Sequence, residues 1–128
     1  MTSHGWMLLS LMLTLFLGAA FFFTDTRTVP VWVFWYHVGA AVLRLIALWQ
    51  LAKLRWRGVL LGLVPSAMGV VFGVGDNLGL WGLEPPSVTT RGLNWGMAAL
   101  SAVYFPAAWS ARTRRPGARE DVSPREAE

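Results

Sequence analysis

Apolar positions in this chain fall in long unbroken runs, and polar positions cluster between them. The runs 7–23, 29–52, 59–75 and 92–109 are each close to the roughly 20 residues an α-helix needs to cross a bilayer's hydrocarbon. The pattern predicts an all-α polytopic membrane protein. Its expected parts are a four-transmembrane-helix bundle over residues 1–109 and a disordered cytoplasmic tail over 110–128.

The polar breaks set the connections. Thr24-Asp25-Thr26-Arg27-Thr28 forms a short turn, and Pro30 suits the start of the second helix because its missing N–H is not needed there. Lys53–Arg57 is so short that the second and third helices should be antiparallel neighbours. Residues 76–91 form the longest connection, and its Leu78–Leu83 stretch is apolar but broken by glycine. It is too short to cross and reads as lying in the interface, with a re-entrant loop as the alternative. The first run also resembles a signal peptide in having Gly18 and Ala20. It lacks Lys or Arg before it and exceeds the usual signal core, so it reads as a retained span.

Composition strengthens the membrane reading. Of 128 residues, 55% are hydrophobic and only 14% charged, against about 25% charged in soluble domains. Mean hydropathy is +0.47. There is no cysteine, which excludes disulfides, thiolate metal sites, iron–sulfur clusters and cysteine nucleophiles. The sequence pI near 10.7 would suggest nucleic acid in a soluble protein. Here the basic residues flank spans, so the expected partners are membrane lipids and not nucleic acid.

Charge also predicts orientation. Lys53, Arg55 and Arg57 in the second connection share a side with Arg112, Arg114, Arg115, Arg119 and Arg125 in the tail, whereas the other connections hold only Arg27 and Arg91. The positive-inside rule then places both termini in the cytoplasm, in a bacterial inner membrane. Tryptophan placement agrees: Trp6, Trp49, Trp56 and Trp109 fall at one interface, and Trp32, Trp35, Trp81 and Trp95 at the other.

Small residues recur along the third helix at Gly58, Gly62, Ser66, Gly69 and Gly73, and the fourth repeats the pattern with Gly92 and Gly96. Such stripes let helix backbones approach closely inside lipid. Whether the neighbour is internal or another chain is open at this point. Pro65 should disturb the third helix midway, since it removes an intrahelical donor.

Candidate chemistry is sparse. His37 and Arg44 are the ionisable groups inside predicted spans, seven residues apart on one face of the second helix. They form a candidate intramembrane polar site, although Arg44 can alternatively snorkel to the headgroups and His37 can simply be hydrogen-bonded. Asp25, Asp76 and Glu84 fall in connections, so no carboxylate is expected within the membrane to couple transport to protons or cations. Asp25 and Asp76-Asn77 read as solvated loop ends and not as a cation site. His4 and His37 differ in depth by roughly 20 Å, so one chain does not supply two axial haem ligands. No catalytic, cofactor-binding or metal-binding residues are expected, and no cofactor.

The leading reading is a non-catalytic helix-packing subunit of a larger membrane complex, with other transmembrane subunits or self-copies as partners. The alternatives are a self-associating, holin-like pore or small-solute carrier, and a membrane enzyme acting on lipid or quinone with Arg44 binding an anionic head.

Overall fold

The computed structural model describes residues 2–114. The segment 115–128, which holds most of the predicted disordered tail, lies outside the described residues. Four helices run in order: α1 (Ser3–Thr24), α2 (Val31–Ala52), α3 (Trp56–Asn77) and α4 (Val88–Arg114). They alternate in direction. Ser10 on α1 therefore meets Leu100 on α4, and the first turn of α3 lies against the last turn of α2. One end of the bundle gathers the α1–α2 and α3–α4 connections and is called the Arg27 end. The other holds the α2–α3 turn and is called the Lys53 end.

α1, α2 and α3 are each long and apolar enough to cross a membrane. At 22 residues apiece they span about 33 Å. α4 is longer, 27 residues, but does not reach the same apolarity. Its polar side chains Thr90, Asn94 and Ser101 are buried, so they lower its hydropathy while lying inside the bundle.

α4 packs along both α1 and α3, and α2 packs along α3 and lightly on α1. α2 and α4 face each other across the centre without backbone contact. The interior mixes polar groups with an apolar core that includes Met7, Leu11, Leu51 and Tyr104, while the exterior carries many large apolar side chains. Ser10, Thr14, Arg44, Ser66, Asp76 and Asn94 are buried, while Phe16, Phe23, Trp35, Leu45, Val64 and Trp109 are exposed. A water-soluble bundle would do the reverse; lipid as the outer solvent explains it.

Two departures from the sequence expectation concern the third connection. α3 continues through Asp76 to Asn77, and α4 begins at Val88, so residues 78–87 alone form the loop. Asp76 is only 2% exposed, a buried carboxylate and not a solvated loop end. The loop does not plunge between the helices. Trp81 folds back so that its Nε1 donates to the Phe72 carbonyl at 3.2 Å, and its indole lies where a Cβ on Gly75 would be. Ser87 caps α4 by accepting from the Thr90 N–H at 3.2 Å.

Helices α2 and α3 end in the same way. The N–H of Arg55 donates to the Gln50 carbonyl and that of Leu54 to Leu51; correspondingly, Leu80 donates to Gly75 and Gly79 to Asp76. Both are Schellman caps, which require a left-handed residue just beyond the helix. Gly79 fills that place at φ 74°, and Leu54 fills it at φ 56°.

Candidate functional site

The hydrophobic pattern brings small residues of α3 to its inner face. A Cβ on Gly58 would press on the Gln50–Leu51 turn of α2, one on Gly62 would fall on the Tyr104 hydroxyl, and one on Gly73 would meet the Asn94 carbonyl. Ser66 is buried on the same face. On α4, Gly92 has no neighbour within 4 Å of a notional Cβ, and Gly96 would meet only Leu17. The close α3–α4 contacts therefore run through Asn94, Ala98, Ser101 and Tyr104. Tyr104 is fully buried and its hydroxyl donates to the Val59 carbonyl at 2.8 Å.

Gly69 is where α2, α3 and α4 converge. A Cβ there would fall on Ser101 Oγ and 2.9 Å from Arg44 Nη2. Its absence lets the Arg44 guanidinium reach in from α2, so that Nη2 donates to the Pro65 carbonyl at 3.0 Å and lies 3.5 Å from Met97 Sδ on α4. Arg44 is 3% exposed, and its Nε has no hydrogen-bond partner. Among the described residues no carboxylate lies within ion-pair distance of it. It does not snorkel; it points to the bundle centre.

Arg44 lines a partly enclosed central cavity of about 20 Å³, to which all four helices contribute. This is room for about one water. His37 lines the same cavity, so the structure brings the two predicted polar residues to one space. The His37 ring stacks on Phe21 at 4.8 Å between centroids and meets Phe72 edge-on at 4.5 Å. Its Nδ1 lies 2.9 Å from the Val33 carbonyl. Because a carbonyl only accepts, Nδ1 carries the proton. The other histidine, His4, lies in a separate groove at the Lys53 end with Met7, Arg55 and Trp56.

Above the cavity, at the Arg27 end, is a network that sequence reasoning missed. Arg27 Nη1 and Nη2 donate to Asp76 Oδ1 and Oδ2, each at 2.8 Å. Nε and Nη2 also donate to the two oxygens of Asp25, and Nη1 donates to the Glu84 carbonyl at 2.7 Å. All five guanidinium hydrogens thus have acceptors. Asn94 Nδ2 donates to Asp76 Oδ2 at 2.7 Å and to Asn77 Oδ1 at 2.9 Å, and Asn77 Nδ2 donates to the Arg91 carbonyl. The hydrogen bond to Asp76, above all, holds the Arg27 pKa well above its ordinary value, outweighing the opposing effect of burial. Asp25 and Asp76 meet not as solvated loop ends but through Arg27, which sits between them and is the cation they share. The signal available in the sequence was that Arg27 is the one cation of its connection and stands two residues after Asp25.

The two arginines are therefore opposites. Arg27 is completely paired and closes one end of the bundle, whereas Arg44 is buried without counter-charge in its centre. Among the described residues no group of three His, Cys, Asp or Glu side chains is placed to hold a metal ion. No protein-family model matches the chain, no curated protein matches its sequence, and no solved structure matches its fold.

Proposed function

We propose that the chain is a four-span integral membrane protein that works through an interior site, as a binder or carrier of a small solute. The observation that carries this reading is Arg44, buried beside a cavity with an unpartnered Nε and no carboxylate partner among the described residues. A buried ion costs several kcal/mol, and apolar residues of similar volume in its place are often neutral or stabilising. A chain that only had to pack would be served as well by Met at this position. Ionisable groups kept inside a membrane bundle mark solute pathways more often than packing.

The subunit reading drew its main support from the small-residue stripe. On α3 that stripe is occupied within the chain, by α2 and α4, and there it does not call for a foreign helix. Crossing by α4 is supported by its length and by the burial of Thr90, Asn94, Ser101 and Tyr104, which leaves Trp95, Phe105 and Trp109 on its outer face. The many cations at the Lys53 end and in the tail support a cytoplasmic location for that end.

The test is Arg44→Met, purified in mild detergent with gluconate as the only added anion and melted beside the unaltered protein. The expected result is an equal or higher melting temperature and no stoichiometric foreign subunit in either preparation. A melting temperature lowered by several degrees would make Arg44 a structural residue and overturn the interior-site reading. A co-purifying foreign subunit would restore the packing role.

A further inference from the structure

We infer that the Arg44 cavity is a binding site for a small monovalent inorganic anion of halide size. The inference rests on the reading of Arg44 as a functional residue and adds the class of its ligand.

The donors and acceptors facing the cavity decide the class. Tyr36 uses its hydroxyl hydrogen on the Met68 carbonyl. Asn94 uses both amide hydrogens on Asp76 and Asn77. His37 uses its Nδ1 hydrogen on the Val33 carbonyl. Arg44 alone keeps unused donors: it has five N–H groups, of which Nη2 serves Pro65 and Met97 while Nε serves nothing. The nearest carboxylate on α3, Asp76, is two turns beyond Gly69 and already bound by Arg27 and Asn94. What the cavity lacks is negative charge with acceptor capacity. A cation is repelled here, and a neutral solute would leave the buried charge uncompensated.

Size and lining narrow the class. About 20 Å³ admits one water-sized occupant, which excludes sulfate, phosphate and lipid headgroups. Leu17, Phe21, Phe72, Leu93 and Met97 form much of the wall, so the occupant must shed most of its water. That favours a singly charged ion over a strongly hydrated dianion. An anion against the Arg44 guanidinium, which lines the cavity, would turn an unpaired buried charge into a buried pair.

The experiment uses the full chain in detergent at constant ionic strength, with sodium gluconate replaced stepwise by chloride, bromide, nitrate or sulfate. Chloride or bromide should raise the melting temperature by a few degrees with saturation, as binding to the folded state requires. Gluconate, nitrate and sulfate should give no saturating rise, any effect of sulfate being the unsaturating one of an excluded salt. Arg44→Met should abolish the rise. Ala40→Val, which narrows the cavity wall without removing the charge, should weaken it and serves if Arg44→Met does not fold. No saturating rise in chloride or bromide, or a rise that persists undiminished in both variants, overturns the anion site. If Arg44→Met is as stable as the unaltered protein and no anion has an effect, the interior-site reading stands and only the ligand class fails.

Discussion

Arg27 and Asp76 are 49 residues apart in the chain and meet side by side, with both guanidinium Nη atoms 2.8 Å from the two carboxylate oxygens. Their side chains are 6% and 1% exposed. A bidentate pair this buried is strongly coupled: removal of one partner strands the other. Arg27→Leu should therefore destabilise the bundle by about 3 kcal/mol, and Asp76→Leu by a similar amount. The double substitution should cost clearly less than the sum of the two. Thermal or denaturant unfolding in detergent checks this, and strict additivity would show that the pair contributes nothing as a pair.

The α3–α4 contact predicts opposite outcomes for two glycines. Gly62→Ala places a methyl group on the Tyr104 hydroxyl, which is fully buried and has no free space to retreat into. It should cost about 2 kcal/mol, as overpacking does. Gly92→Ala meets nothing within 4 Å and should be neutral or stabilising by up to about 1 kcal/mol, the helix-propensity difference. Melting the two variants side by side tests the assignment of the interface.

Gly69→Leu is predicted to act within one chain. Its side chain would displace Ser101 and the Arg44 guanidinium, so the folded monomer itself should be lost. Size-exclusion chromatography distinguishes this from a failure of assembly, which would yield a folded but smaller species.

The two Schellman caps allow an internal comparison. Leu54 holds a left-handed conformation at φ 56° where the equivalent residue after α3 is Gly79. A left-handed residue with a Cβ costs about 1–2 kcal/mol. Leu54 is 80% exposed, so it regains little by packing. Leu54→Gly should raise stability by about 1 kcal/mol, read as a higher melting temperature, and Gly79→Leu should lower it.

Much of the fold was legible because lipid imposes length and apolarity on whatever crosses it. The helices over 31–52 and 56–77 lie within a few residues of the apolar runs that predicted them. The ends were less legible. Asp76 reads as a helix terminator while its partners are unknown; it can be buried because Arg27 and Asn94 arrive from elsewhere in the chain. Local patterns carry no record of such partners. α4 shows the converse. Its buried Asn94 and Ser101 make it the least apolar helix, though they are interior groups. At the candidate site, the spacing of His37 and Arg44 predicted a shared face. That Gly69 opens the way for Arg44, and that no carboxylate answers it, depended on which helices lie opposite.

The Arg27–Asp76 closure also constrains how the molecule is made. Ribosomes add about 5–20 residues per second, so Asp76 is synthesised about 2.5 to 10 seconds after Arg27. Throughout that interval the newborn α1–α2 hairpin carries an arginine whose long-range partner does not yet exist. Arg27 must wait at the water–lipid border with only Asp25 beside it, and biogenesis of the bundle finishes when the second hairpin delivers the missing carboxylate.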